Sequence, residues 1–162
     1  EGFSTDAIYG KIQCQLKTIE MDLKAPVSTI MTTDLKTAGP EDPTSVLDEI
    51  FRQNRFHHVP IINEEKRIVG IISKSDFLYL LRGYTVHETD RFRESAKLRG
   101  FKIKEIMEDE VVTIQEDMPI REAVAMLAEN RFRALPVVNK KQELVGIVTT
   151  HDIIDMVNEI ED

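Results

Sequence analysis

Cysteine occurs once in the 162 residues, as Cys14. A lone cysteine closes no internal disulfide and fits a reducing cytosol, so a cytoplasmic protein is expected. The four histidines have no metal-ligand spacing, and with one thiol they predict no structural zinc site. No apolar run approaches the roughly 18 residues of a membrane helix. Residues 1–9 are acidic and mixed, unlike a signal peptide. The chain opens on Glu1 rather than Met, which suits a fragment or a processed chain. Positive charge is in deficit: 21 Lys and Arg against 29 Asp and Glu leave a net charge of −8. That argues against general nucleic-acid or anionic-membrane binding but leaves room for a local basic pocket. There is no Gly-rich phosphate loop, nucleophile elbow or reactive-cysteine context. His151 adjoins Asp152, but sequence neighbours do not make a catalytic pair. No enzyme, and no catalytic cofactor, is expected. What remains is a globular composition, 41% hydrophobic and 31% charged.

The main positive feature is a repeat. Sliding the chain by 76 positions aligns Ile30–Leu78 with Ile106–Ile154 without a gap, and 13 of the 49 pairs are identical. Ordinary composition would give roughly three by chance. "IM" opens both copies. "NRFHHVPIIN" (54–63) answers "NRFRALPVVN" (130–139), and "GIISKSDF" (70–77) answers "GIVTTHDI" (146–153).

Each copy reads as β-α-β-β-α. A short strand is expected around Leu35 to Ala38 and around Val111 to Ile114. A turn ending in Pro43 or Pro119 then opens a helix. Leu47, Ile50 and Phe51, or Ile120, Ala123, Val124 and Leu127, lie on one face of that helix. Two β-branched runs follow, joined by turns at "NEEKR" and "NKKQE". The last helix carries Phe77, Leu78, Leu80 and Leu81, or Ile153, Ile154, Met156 and Val157. Asn54, Arg55, Asn130 and Arg131 read as helix C-terminal caps. One copy buries too little surface alone. The fold class is therefore α+β, with the two copies packed face to face about a pseudo-two-fold axis and two related clefts between them.

The expected division is an N-terminal helical extension (1–24), a first domain (25–83), a linker (84–100) and a second domain (101–162). In the extension, Ile12, Leu16, Ile19 and Leu23 form an apolar seam suited to packing on the body or a twin subunit. The connection over 82–100 holds five basic and three acidic residues and reads as a solvated link.

These features carry a resemblance. Residues 25–162 resemble a tandem pair of CBS domains, or Bateman module, on the opening "IM", the stretches headed by Arg55 and Arg131 that run into "PIIN" and "PVVN", and the doubled Gly, two apolar residues, Ser/Thr and Asp. The resemblance implies a regulatory module that binds an adenosine-containing ligand in the clefts: AMP, ADP, ATP, S-adenosylmethionine or NAD. It also implies association into disc-like homodimers through helices.

The residues supply chemistry for such a ligand. A carboxylate held at a helix start accepts both ribose hydroxyls through charge-assisted bonds, which points to Asp76 and Asp152. Ser73 and Thr149 cap the helices and reach the sugar or phosphate. A helix N-terminus favours an anion, while the Asp opposes phosphate, so cations are needed nearby. His57 and Arg133 stand three residues before the prolines. The resemblance places phosphate contacts there, and also just after the Ser/Thr, at Lys74 and Thr150. Walls for adenine are expected from Val59–Pro60, Leu135–Pro136, Thr37–Ala38 and Thr113–Ile114. The prolines lack an N–H and are expected to leave an unpaired strand edge facing the base.

Plainer readings compete. Ser73/Asp76 and Thr149/Asp152 also make ordinary capping boxes. His57 and His58 suit a solvated strand end, and His151 suits the surface. The pair could be a ligand-free dimerisation or interaction module, or the regulatory part of a longer enzyme or transporter. The sequence alone selects neither the ligand nor the cleft.

Overall fold

The first half of the chain builds α1 (Ser45–Gln53), β1 (His58–Ile62), β2 (Ile68–Ser73) and α2 (Lys74–Gly83). The second half builds β3 (Ile114–Gln115), α3 (Ile120–Ala128), β4 (Ala134–Val138), β5 (Leu144–Thr149) and α4 (Thr150–Asn158). The computed structural model describes residues 22–53, 56–83, 100–129 and 132–158. The expected caps at 54–55 and 130–131, the seam positions 12, 16 and 19, and linker residues 84–99 lie outside these.

Each half centres on an antiparallel hairpin. β1 pairs with β2 and β4 with β5, and both ladders shift register at the equivalent place, Ile61/Ile62 and Val137/Val138. The turns are also equivalent. Lys66 and Gln142 adopt φ of 61° and 64°, the left-handed region that favours glycine. Gln142 is exposed and its N–H donates to the Asn139 carbonyl at 2.9 Å. Gln142→Gly should therefore stabilise the fold by about 0.5–1 kcal/mol, read as a raised midpoint in urea. A lowered midpoint would mean that the turn needs the side chain.

The early strands differ between halves. β3 pairs in parallel with β4. Its counterpart around Leu35 to Ala38 shrinks to one bridge, Ala38 beside Ile61. The cause is local. In the second half the Glu116 N–H reaches the Val138 carbonyl at 3.1 Å. The equivalent residue of the first half is Pro40, which has no N–H to donate, and the Gly39 N–H turns back to Asp42 Oδ2 at 2.7 Å.

The opening segment of each repeat crosses to the other half. The Val27 N–H donates to the Met118 carbonyl at 2.8 Å, and the Ile103 N–H to the Asp42 carbonyl at 2.9 Å. Thr32 bridges to Ile147, and Glu108 to Ile71. Each contact reappears 76 positions away with the halves reversed, as a pseudo-two-fold axis requires. The crossing covers the free edges of β5 and β2, which would otherwise show unpaired backbone groups. It also fills the cores. Val27 is fully buried among Ile114, Leu135 and Val148. Ile103 is fully buried among Leu47, Val59, Ile72 and Phe77. Leu23 packs on the core of the second half, so the seam meets the body at its last position.

This exchange explains the glycines in "VGI". A β-carbon on Gly70 would overlap Met107 Sδ and lie 3.2 Å from the Glu108 carbonyl oxygen. A β-carbon on Gly146 would overlap Met31 Sδ. The methionine of each "IM" thus sits on the glycine of the other repeat. Outside, Glu41 bridges Lys102 and Lys104, tying the second crossing segment to the first half. Its hydrogen bonds to Lys102 and then Lys104 draw its carboxyl pKa down to about 2. All three groups are exposed, so the clasp adds little stability.

Candidate functional site

Strands β2 and β5 deliver Ser73 and Thr149 to the starts of α2 and α4. At Thr149 the cap is reciprocal. The His151 N–H donates to Thr149 Oγ1 at 3.2 Å, and the Thr149 N–H donates to Asp152 Oδ2 at 2.6 Å. Thr149 Oγ1 also donates to Asp152 Oδ2 at 2.6 Å. The carboxylate has one further partner from across the sequence: Thr32 Oγ1 donates to Asp152 Oδ1 at 2.8 Å. At the other helix start, Ser73 Oγ accepts from the Asp76 N–H at 3.1 Å and donates to Asp76 Oδ2.

Two clefts of similar size lie at these helix starts. The Asp152 cleft encloses about 660 Å³. Thr149, Thr150 and Asp152 line it together with His57, Lys74 and Arg133, six of the expected site residues. Thr32, Phe56, His58, Ile147 and Leu78 complete much of its wall. The Asp76 cleft encloses about 690 Å³ and brings together Ser73, Asp76, Arg133 and Pro136. Glu108 and Glu110 also line it. Both volumes fall within the range of small-molecule pockets. Each cleft takes residues from both halves, and Arg133 and His58 line both.

Several expected positions lie elsewhere. Thr37 and Thr113 are half-buried, Pro60 is buried, and none lines either cleft. Ala38, Val59, Ile114 and Leu135 are core side chains, from 0% to 6% exposed. The reason is that Val59 on β1 and Leu135 on β4 turn their side chains to the packed face of the hairpins, where Ala38 and Ile114 of the early segments join the same cores. Nor do the prolines open an edge. Pro60 lacks an N–H but keeps its carbonyl, which accepts the Ala38 N–H at 3.3 Å. Apolar cleft wall comes instead from Phe56, Leu78 and Ile147, or from Ile71, Val111, Val112 and Phe132.

The cations are placed unequally. Lys74 reaches the end of α1, where Nζ donates to the Phe51 carbonyl at 3.2 Å. Its charge caps a helix C-terminus while also facing the Asp152 cleft. Burial holds the pKa of His58 below its ordinary value, and the neighbouring His57 adds to the effect. His58 is therefore a neutral ring at neutral pH. His151 sits 3.6 Å from Asp155, one turn along α4.

Thr32, Glu108 and Glu110 were not singled out in the sequence. Their only signal was the misfit of Thr32 with Glu108 in the repeat alignment, and it gains meaning once the crossing segments are known.

The family model described as "CBS domain" matches residues 27–83 and 103–159. The chain belongs to the CBS domain family.

Relatives and solved structures agree. An inosine-5'-monophosphate dehydrogenase of Halobacterium salinarum is 30% identical over 85% of this CBS pair, which spans 25% of that relative. A CBS domain-containing protein of Dictyostelium discoideum is 28% identical over 83% of the chain and 92% of the relative. Among solved structures, the CBS-pair protein CBSX2 of Arabidopsis thaliana superposes with a TM-score of 0.72 at 22% identity, covering 85% of this chain and 96% of that one. The CBS domain pair of protein MJ0100, solved with 5'-methylthioadenosine and S-adenosyl-L-methionine, has a TM-score of 0.66 at 26% identity, covering 82% and 98%. No helix among the described residues is long and apolar enough to cross a membrane.

Proposed function

We propose that this CBS pair is a regulatory module that senses an adenosine nucleotide, AMP, ADP or ATP, in the Asp152 cleft. One observation carries the reading. Asp152, fixed by Thr149 and Thr32, faces a cleft into which the other half projects His57 and Lys74.

The chemistry follows from unused hydrogen-bonding capacity. Asp152 Oδ2 accepts two bonds and Oδ1 accepts one. A carboxylate offers about four acceptor positions, so Oδ1 can take a ribose hydroxyl. Thr32 Oγ1 spends its proton on Asp152 and keeps an acceptor position for the second hydroxyl. Phosphate would lie toward Lys74, Arg133, His57 and Thr150. The base would rest on Phe56, Ile147 and Leu78. Such a ligand touches both halves, so binding would draw them together. The solved structure of CBSX2 with AMP and that of MJ0100 with two adenosyl ligands support the ligand class. The role is binding rather than catalysis.

A homodimer is part of this proposal. Leu78, Tyr79, Ile154 and Val157 on the last helices are between 41% and 79% exposed, an apolar surface suited to a second copy.

Thermal unfolding with AMP, ADP, ATP, S-adenosylmethionine or NAD tests the reading. A ligand at 100 times its Kd should add about 2.7 kcal/mol of stability. If none of the five raises the midpoint at millimolar concentration, the sensing role is wrong.

A further inference from the structure

The two clefts differ in charge at related positions. In the Asp152 cleft, among the described residues, one carboxylate faces two permanent cations, Lys74 and Arg133. In the Asp76 cleft, among the described residues, three carboxylates, Asp76, Glu108 and Glu110, face one permanent cation, Arg133. The difference traces to the crossing segments. Thr32 crosses to Asp152 and donates a hydrogen bond to it. Its repeat equivalent, Glu108, crosses beside Ile71 into the Asp76 cleft, carrying a side chain that only accepts.

A phosphate entering the Asp152 cleft would meet a net positive surface. In the Asp76 cleft it would meet excess negative charge in a confined space, where like charges repel more strongly than in bulk water. Ribose itself is not refused there, because its hydroxyls are donors and carboxylates accept them.

We propose that Glu108, with Glu110, is the specificity determinant that bars phosphorylated ligands from the Asp76 cleft, so that each chain takes up one nucleotide, at Asp152. This rests on the nucleotide-sensing reading above and sharpens it. The pair is then a one-site sensor built from a two-site fold. Both glutamates are exposed, so neutralising them changes charge and not packing.

Calorimetric titration of the full chain with AMP decides the matter. The wild-type chain should take up one equivalent. Asp152→Ala should weaken that binding about 10–100-fold. Glu108→Thr combined with Glu110→Gln should create a second site and bring uptake to two equivalents. In the Asp152→Ala background the same pair of substitutions should restore AMP binding at least about tenfold. Two equivalents bound by the wild type would overturn the inference while leaving the sensing role intact. So would a single equivalent that persists unchanged in Asp152→Ala, or uptake that stays at one after both glutamates are neutralised. A wild-type chain that takes up no AMP, or any other adenosyl ligand, overturns the sensing role and this inference with it.

Discussion

Ile103→Ala should cost about 2–5 kcal/mol, and the loss should appear first in β1 and β2, not in the half that follows Ile103 in sequence. Ile103 is closed to solvent and packs on the first half. It is 0% accessible and packs in the cluster of Leu47, Val59, Ile72 and Phe77. Truncation leaves a void bounded by those side chains, and a close-packed interior refills such a void only in part. The same crossing segment carries Met107, which lies on Gly70. Loosening Ile103 therefore frees the edge of β2 as well. Urea denaturation would give the overall loss. Hydrogen exchange would give its place, with the amides of β1 and β2 losing protection before those of β4 and β5. The opposite order would mean that residues 102–108 belong to the second half after all. Gly70 tests the same joint from the other side. The obstacle there includes a backbone oxygen as well as a flexible side chain, whereas Gly146 meets only Met31. Gly70→Ala should therefore be the more damaging of the two.

The second large effect concerns ligand. Asp152→Ala should weaken AMP binding about 10–100-fold, since a hydrogen bond to a charged group contributes about 1.5–3 kcal/mol. That variant alone cannot separate a site from a cap, because Asp152 also holds the Thr149 N–H. Thr32→Val separates them. Thr32 takes no part in the helix cap, yet its hydroxyl touches the carboxylate that would hold the ribose. Its loss should weaken AMP about 2–10-fold, the worth of one ordinary hydrogen bond, with the α4 cap preserved. Because both groups address the same ribose, the double variant should fall short of the product of the single effects. Isothermal titration of the three variants reads this directly. Affinity unchanged in Thr32→Val and Asp152→Ala, with only the melting midpoint lowered, would reduce the pair to a helix cap.

Much of this architecture was legible from residues alone. The gapless 76-residue offset announced two equivalent units, and each unit carried its own punctuation. Pro119 marks the start of α3, Asn139 its hairpin turn, and Thr149 with Asp152 the start of α4. Such signals are local. They depend on backbone geometry within three or four residues, so a short stretch of sequence contains them. The burial of Leu47 and Phe51 on α1, and of Ile120, Ala123 and Leu127 on α3, follows from helical spacing in the same way.

Two matters lay beyond that reach. A short β-branched run does not say which of its faces meets the core. Val59 and Leu135 therefore looked like a ligand wall and proved to be core. The other matter is which half each "IM" segment completes. In a near-symmetric repeat, packing within a copy and packing across to the other produce the same pattern of buried positions. Sequence determined that a Ser or Thr with an Asp three residues on would cap a helix twice. Only tertiary structure decided that Met31 covers Gly146, that Thr32 reaches Asp152 from 120 residues away, and that Glu108, its repeat equivalent, lines the Asp76 cleft. Those pairings depend on which free strand edge each segment seals, and that is a property of the folded chain.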